Sequence, residues 1–171
     1  MFQNFFKKNN LPKYRQSQLY TQYYKNLILS WDELTTWPND LRQKLKDEVP
    51  FSSLSLVSEA VSDDQNTKKA LFKTESGNYV ESVLIKGKNR NTICVSCMSG
   101  CPVGCIFCAS GQMGLKESLN QYQIVDQILH FARQLKNQNK KVTNIVYMGM
   151  GEPMLNLENV SHSIIDITDK D

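Results

Sequence analysis

The chain has 171 residues, 40% hydrophobic and 22% charged, with a formal net charge of +3. That balance belongs to a soluble globular protein and excludes a disordered or membrane chain. No run of about 18 apolar residues occurs. The start, Met1-Phe-Gln-Asn-Phe-Phe-Lys-Lys8, has neither an apolar h-region nor a small-residue cleavage site, so neither a membrane span nor a signal peptide is read.

Residues 11–49 read as helical. Leu19, Tyr20, Tyr23, Tyr24 and Leu27 recur at helical spacing, as do Leu41, Leu45 and Val49 after the Trp37-Pro38-Asn39-Asp40 break. Asn39 or Asp40 is the expected cap, and Pro50 the stop. The aromatic stripe reads as core in preference to a base-stacking surface. Residues 51–67, rich in Ser and Asp, read as a connector. Ala70–Thr74 and Tyr79–Ile85 then flank Glu75-Ser76-Gly77-Asn78, a hairpin signal. Strand alternation places Tyr79, Glu81, Val83 and Ile85 on one face. Glu81 is then either an edge carboxylate reaching solvent or one with a raised pKa suited to proton transfer.

Thr92–Val95 is the next expected strand, with a cysteine-rich loop leaving its carboxyl end. Gln121–Leu135 follows as an amphipathic helix with Ile124, Val125, Ile128, Leu129, Ala132 and Leu135 on one side, capped by Ser118 or Asn120. After a polar turn come a strand at Val142–Met148, the stretch Gly149-Met-Gly-Glu-Pro153, and a helix from about Asn156 carrying Leu157, Val160, Ile164 and Ile165. Strand, loop and helix, twice over, open a parallel α/β domain. The 80 residues from Thr92 to Asp171 hold two such units, whereas a closed (β/α)₈ barrel takes about 250 residues. The expected architecture is an incomplete (β/α) barrel, either the amino-terminal part of a longer protein or a domain completed by a partner. The expected division is a helical accessory domain at 1–62, a β-hairpin extension at 63–90 and the barrel start at 91–171.

Basic residues cluster early, at Lys7, Lys8, Lys13, Arg15 and Lys25, and again at Lys68, Lys69, Lys86, Lys88 and Arg90. They form either a solvated surface or a nucleic-acid footprint.

All five cysteines lie between Cys94 and Cys108, in Cys-Val-Ser-Cys-Met-Ser-Gly-Cys-Pro-Val-Gly-Cys-Ile-Phe-Cys. An odd, crowded set without an export signal points to reduced, metal-binding or catalytic thiols and to a cytoplasmic setting. Two metal readings stand on spacing. Cys94-x₂-Cys97 with Cys105-x₂-Cys108 supplies the four ligands of a structural zinc, over a spacer shorter than zinc ribbons use. Cys101-x₃-Cys105-x₂-Cys108 supplies three ligands of an iron–sulfur cubane, leaving one iron open.

Cys101-x₃-Cys105-x-Phe107-Cys108 resembles the signature of radical S-adenosylmethionine (radical SAM) enzymes. The wider stretch from Thr92 to Leu115, followed by Tyr147-Met-Gly-Met-Gly-Glu-Pro-Met-Leu-Asn156, looks like the RlmN branch. Those enzymes methylate C2 of an adenosine in 23S rRNA and in certain tRNAs. Leu11–Leu19 and Trp31–Leu34 look like that branch's helical accessory domain, and Val80–Val83 like its strand ahead of the cluster.

The resemblance implies that Cys101, Cys105 and Cys108 hold a [4Fe–4S] cluster. Gly151 and Glu152 would bind the amino group of S-adenosyl-L-methionine, whose amino and carboxylate groups chelate the open iron. Glu81 would accept the C2 proton, and Cys94 would resolve a protein–RNA adduct by a transient disulfide with a methyl-carrying cysteine. Lys86, Lys88 and Arg90 are the expected electropositive setting for Cys94. The partners implied are 23S rRNA, tRNA and an electron donor such as a flavodoxin, with no membrane. The carrier cysteine of the family falls beyond Asp171, so these residues alone are expected not to turn over. Cys97 departs from the pattern, as a competing fourth thiol or a buried small residue. The alternatives are the related branch that methylates C8, against which Pro153 leans, and a zinc-stabilised RNA-binding module.

Overall fold

The computed structural model describes residues 2–168. The chain divides into two compact units, Met1–Ser52 and Ser53–Asp171.

The first unit is held by aromatic packing. It contains helices α1 (Phe2–Lys8), α2 (Lys13–Tyr20) and α3 (Asn39–Glu48), with a π-turn at Thr21–Lys25 and a 3₁₀ turn at Trp31–Glu33. Phe2, Tyr23 and Trp31 are buried together. The Tyr23 ring lies 5.4 Å from that of Trp31, stacked, and 5.2 Å from Phe2, edge-on. The polar tips of these rings are satisfied, as burial demands: Trp31 Nε1 donates to the Val49 carbonyl at 3.0 Å and the Tyr23 hydroxyl to the Phe51 carbonyl at 2.9 Å. The aromatic stripe is therefore core at Tyr23. Leu27 is not part of it, because the chain leaves the helix there with φ +50°, and Ile28 is buried instead. Nor does Asn39 or Asp40 cap α3. Pro38 precedes the helix without a side-chain cap, and Asn39 sits in the first turn, accepting from Arg42.

The second unit is built on a five-stranded sheet. Its strands are β1 (Leu54–Val61), β2 (Thr67–Thr74), β3 (Tyr79–Lys86), β4 (Asn91–Cys94) and β7 (Asn144–Val146), in that spatial order. A separate two-stranded ladder joins β5 (Met98–Ser99) to β6 (Glu117–Ser118). The hairpin forms as expected. Its turn is closed by Thr74 N–H to the Asn78 carbonyl at 2.8 Å, with Gly77 at φ +86°. β4 and β7 pair in parallel across a connection containing α5 (Gln121–Lys136), the expected βαβ arrangement.

The expected connector at 51–67 is a correction, since Leu54–Val61 within it is strand β1. Its Ser and Glu content misleads because β1 is an edge strand, exposed along nearly its whole length and bulged between Leu56 and Ser58. The sheet is thus continuous from Leu54, and the hairpin belongs to it. The boundary between units falls after Ser52, not at 62.

One face of the sheet, with Leu54, Ala70, Phe72, Val80, Leu84 and Ile93, packs into a core with Ile124, Ile128, Phe131 and Leu135 of α5. Asn120 caps that helix in a capping box with Gln123. α5 is buried beyond its apolar stripe: Asp126 accepts from both the backbone N–H and the hydroxyl of Ser53 at 2.6 Å, tying down the start of β1. In α6 (Leu157–Thr168), Val160 and Ser163 are buried, while Leu157, Ile164 and Ile165 are exposed. Because Val80, Ser82 and Leu84 take the core side of β3, Tyr79, Glu81, Val83 and Ile85 occupy the opposite, more open face. β3 is an interior strand, so Glu81 reaches solvent from a face and not from an edge.

Glu117 in β6 fastens the hairpin turn to the ladder. It accepts from Thr74 Oγ1 at 2.8 Å, Asn78 Nδ2 at 2.9 Å and Ser76 Oγ at 3.2 Å. Burial raises its pKa, but hydrogen bonds from Asn78, Thr74, Ser76 and Gln123 outweigh that and hold it below 4.5. A carboxylate lowered in the folded state stabilises fully above its unfolded pKa, and that contribution is lost as pH falls through the folded value. Glu117→Gln should therefore lower the urea midpoint at pH 7, and the gap from the unsubstituted chain should narrow as the pH drops below 4.5. Urea titrations at neutral pH and at about pH 3 check this.

Candidate functional site

Every residue singled out for chemistry, except Glu81, lies at or beyond the carboxyl ends of the parallel strands β4 and β7, the end where open α/β sheets bind ligands. Beyond β4 the chain runs through Val95–Cys97 into β5, and the β5–β6 ladder closes the neck of a loop that carries all three cysteines of the trio. Lys116 N–H donates to the Ser99 carbonyl at 2.9 Å and Leu119 N–H to the Cys97 carbonyl at 3.0 Å. The neck is tight enough that a Cβ on Gly100, at φ +73°, would stand 1.9 Å from the Gly114 carbonyl oxygen.

Within the loop Cys101 is buried, and Cys105 and Cys108 are half-buried. Cys108 N–H donates to the Cys105 carbonyl at 3.0 Å, so these two share one tight turn, while α4 (Ala109–Gln112) rests on it through Gly111. Ile106 and Phe107, between them, are about nine-tenths exposed. All five thiols are free.

Among the described residues, no group of three or more His, Cys, Asp or Glu stands close enough to hold a single metal ion. The four sulfurs of the zinc reading are divided between two places. Cys94 ends β4 and Cys97 is buried beneath the turn after β7, whereas Cys105 and Cys108 lie beyond the neck. A tetrahedral zinc with bonds of about 2.3 Å needs sulfurs about 3.8 Å apart. A cubane takes each cysteine on a different iron, so its ligands stand wider. A loop offering three reduced thiols fits that donor set, one short of the usual four.

The Gly149–Glu152 turn lies flat on the Val95–Met98 segment. Met150 accepts at its carbonyl from Cys97 N–H at 3.0 Å and Met98 N–H at 3.2 Å, and Gly149 N–H donates to the Val95 carbonyl at 3.0 Å. Both glycines are dictated by this approach. A Cβ on Gly149 would meet Ser96 Oγ at 2.6 Å, and one on Gly151, at φ +99°, would meet the Met98 Cβ at 2.6 Å. Glu152 follows with Oε1 accepting from Met154 N–H at 3.0 Å, the cap of a 3₁₀ turn at Pro153–Asn156. Buried Asn156 donates to the Cys97 and Leu119 carbonyls, both at 2.8 Å, linking that turn to the neck.

Cys97 is 2% exposed, and burial first of all, with the charges of Glu152 and Cys101 adding, pushes its thiol up to about 11. It occupies the buried small-residue role. Cys94 is half-buried at the end of β4, and burial raises its pKa against a backbone hydrogen bond from Met148. The electropositive setting expected for it is a correction. Antiparallel pairing sets Lys86 opposite Asn91, so Lys86, Lys88 and Arg90 gather at the other end of β4. Cys94 pairs across strands with Val83, which puts it on the same open face as Glu81. Glu81 itself is ion-paired, Oε1 lying 3.0 Å from Lys69 Nζ, with both side chains near half exposed.

Sequence reasoning placed Lys69 in a basic cluster without its partner Glu81 and missed Ser96 and Gln127 altogether. The fully buried Ser96 hydroxyl donates to the Glu81 carbonyl at 2.6 Å and accepts from Met150 N–H at 2.8 Å. Gln127 of α5 grips the same residue from the other side, accepting from Ser96 N–H and donating to its carbonyl, each at 2.9 Å. A lone Ser two residues beyond a cysteine carries no signal in sequence, and a Gln on a helix reads as solvent-facing. Ser96→Ala leaves the Glu81 carbonyl and the Met150 N–H without this partner and should cost about 1–3 kcal/mol. Chemical denaturation measures the loss.

Residues 95–168 match the profile of the radical SAM superfamily. A probable dual-specificity RNA methyltransferase RlmN of Dictyoglomus thermophilum is 44% identical over 153 residues, covering 90% of this chain and 43% of the relative. Its counterpart in Chlorobaculum tepidum is 42% identical over 168 residues, covering 94% of this chain and 45% of that one. The crystal structure of a radical SAM methyltransferase from Sphaerobacter thermophilus superposes with a TM-score of 0.93 at 37% identity, covering 98% of this chain and 49% of that one. The chain thus spans about half the length of the relatives it matches. Radical SAM proteins of this kind use a [4Fe–4S] cluster and S-adenosylmethionine. By sequence and fold, the chain is similar to radical SAM proteins of the RlmN type.

Proposed function

We propose that this chain contributes the cluster-binding and amino-group-binding part of a radical SAM methyltransferase acting on C2 of adenosine in 23S rRNA and tRNA. The observation that supports this most is the convergence at the carboxyl ends of β4 and β7, where the neck of the cysteine loop is hydrogen-bonded to the Gly149–Glu152 turn. Cys101, Cys105 and Cys108 hold a [4Fe–4S] cluster, which when bound supplies the electron that splits S-adenosylmethionine. Gly151 and Glu152 hold the ammonium of that cosubstrate, a carboxylate being its natural acceptor.

Glu81, held by Lys69 on the open face, takes the proton from adenine C2. Cys94, on the same face and kept protonated at rest by burial, resolves the adduct with a methyl-carrying cysteine. The first unit serves as an RNA-binding accessory domain, a flavodoxin-type protein donates the electron, and the setting is cytoplasmic. Among the described residues no helix is long and apolar enough to cross a membrane. Of the five cysteines three are assigned to iron, one to resolution and one to the buried interior, so none remains as methyl carrier. These 171 residues by themselves bind cofactor without turning over.

Anaerobic reconstitution with iron and sulfide should give a brown protein with about four irons per chain. Serine at Cys101, Cys105 or Cys108 should abolish the colour, while serine at Cys94 or Cys97 should leave it. Added S-adenosylmethionine should perturb the cluster spectrum, and less so in Glu152→Gln. A colourless protein that retains zinc would overturn the reading, and methylated RNA made by these residues alone would overturn the assignment of no turnover.

A further inference from the structure

Two loops that are 50 residues apart in sequence meet at the amino ends of β4 and β7. The first is the turn at 87–90, closed by Gly87 N–H to the Arg90 carbonyl at 2.7 Å. The second is the stretch at 137–143 that follows α5. Four hydrogen bonds stitch them together, one of them from Thr143 Oγ1 to the Asn91 carbonyl at 3.1 Å. Asn91 Nδ2 donates to the Lys141 carbonyl at 2.8 Å, Asn91 N–H to Thr143 Oγ1 at 2.9 Å, and Thr143 N–H to the Asn91 carbonyl at 3.0 Å. Lys88 and Arg90 are thereby brought to the same end of the sheet as Lys140 and Lys141, and all four are exposed.

No carboxylate offsets them from their own segments, because no Asp or Glu occurs between Glu81 and Glu117 or between Asp126 and Glu152. None of the four makes an ion pair among the described residues. The β1–β2 turn touches this end through Lys86 N–H to the Asn66 carbonyl and brings two carboxylates, Asp63 and an Asp64 hydrogen-bonded by Ser62 and Asn66, to set against the four cations. Between the cations stand amides, Asn89, Asn137, Gln138 and Asn139, all exposed.

We propose that Lys88, Arg90, Lys140 and Lys141 form a contact surface for the phosphate backbone of a structured RNA. Cations interleaved with amides suit sugar–phosphate recognition, whereas a membrane-binding surface carries apolar side chains among its basic ones. The surface is separate from the cysteine loop. It lies at the opposite end of β4, roughly 10 Å of strand away at about 3.3 Å per residue, so it positions RNA without touching the reacting base. The proposal rests on the RNA reading given above.

The test is fluorescence anisotropy of the whole chain with a labelled RNA stem-loop, across a salt series. The variant neutralises the surface by Lys88→Gln, Arg90→Gln, Lys140→Gln and Lys141→Gln, with the two pairwise variants alongside in case the quadruple one does not fold. Affinity should fall at least about tenfold, and the slope of log K against log salt should shrink by about two to four, with the thermal midpoint unchanged. An unsubstituted chain that binds RNA while the variants match it in affinity and slope overturns this surface alone. An unsubstituted chain that binds no RNA overturns the RNA reading as well. Binding to anionic phospholipid vesicles in place of RNA, lost in the variants, would overturn the assignment to RNA.

Discussion

The second unit depends on one close approach of backbone to backbone. The Gly149–Gly151 segment lies against Val95–Met98 at distances that leave no room for a Cβ at either glycine, and the buried Ser96 hydroxyl bridges the gap. Three segments far apart in sequence meet there: the strand bearing Glu81, the lead into the cysteine loop and the turn ending in Glu152. Buried polar groups specify geometry when all are satisfied and destabilise when one is not. Ser96 and Gln127 are fully used, which makes the arrangement a single structure and not one of several.

The cysteine loop inherits its orientation from that junction. Its neck is a two-residue ladder, too short to stand alone, and it is held from three sides. Glu117 ties it to the hairpin turn, Asn156 ties it to the turn beyond β7, and the Met150 carbonyl accepts from the N–H groups of Cys97 and Met98 at its base. Past the neck the loop is exposed, with Ile106 and Phe107 almost wholly in solvent. Rigid base and open tip suit a segment whose thiols must reach a cofactor larger than one ion.

The sheet separates support from chemistry by its two faces. Its apolar face is consumed by α5, whose burial of Asp126 and Gln127 beside the aliphatic stripe anchors both β1 and Ser96. The other face carries Glu81 and Cys94, and among the described residues no helix of the core cluster packs on it. The β3–β4 register pairs Cys94 with Val83, two residues along β3 from Glu81, and strand alternation then puts both on a common side.

The sequence by itself determined what depends on local pattern. The hairpin, the βαβ order, the capped α5, the thiol trio and the resemblance of its motifs to a radical SAM signature were all readable, because each rests on residues within a few positions of one another. Three local readings failed, one of them the expected cap of α3, where Pro38 and not Asn39 or Asp40 precedes the helix. β1 looks like a connector because an edge strand tolerates Ser and Glu, and Leu27 looks helical although the chain turns left-handed there. Only the tertiary structure decided which face of β3 is core, that Lys86, Lys88 and Arg90 lie away from Cys94, that Cys97 is interior, and that Ser96 joins Glu81 to Met150. Each of these is set by a strand register or a hydrogen bond between residues that are from 5 to 54 positions apart, and no periodicity along the chain encodes such a pairing.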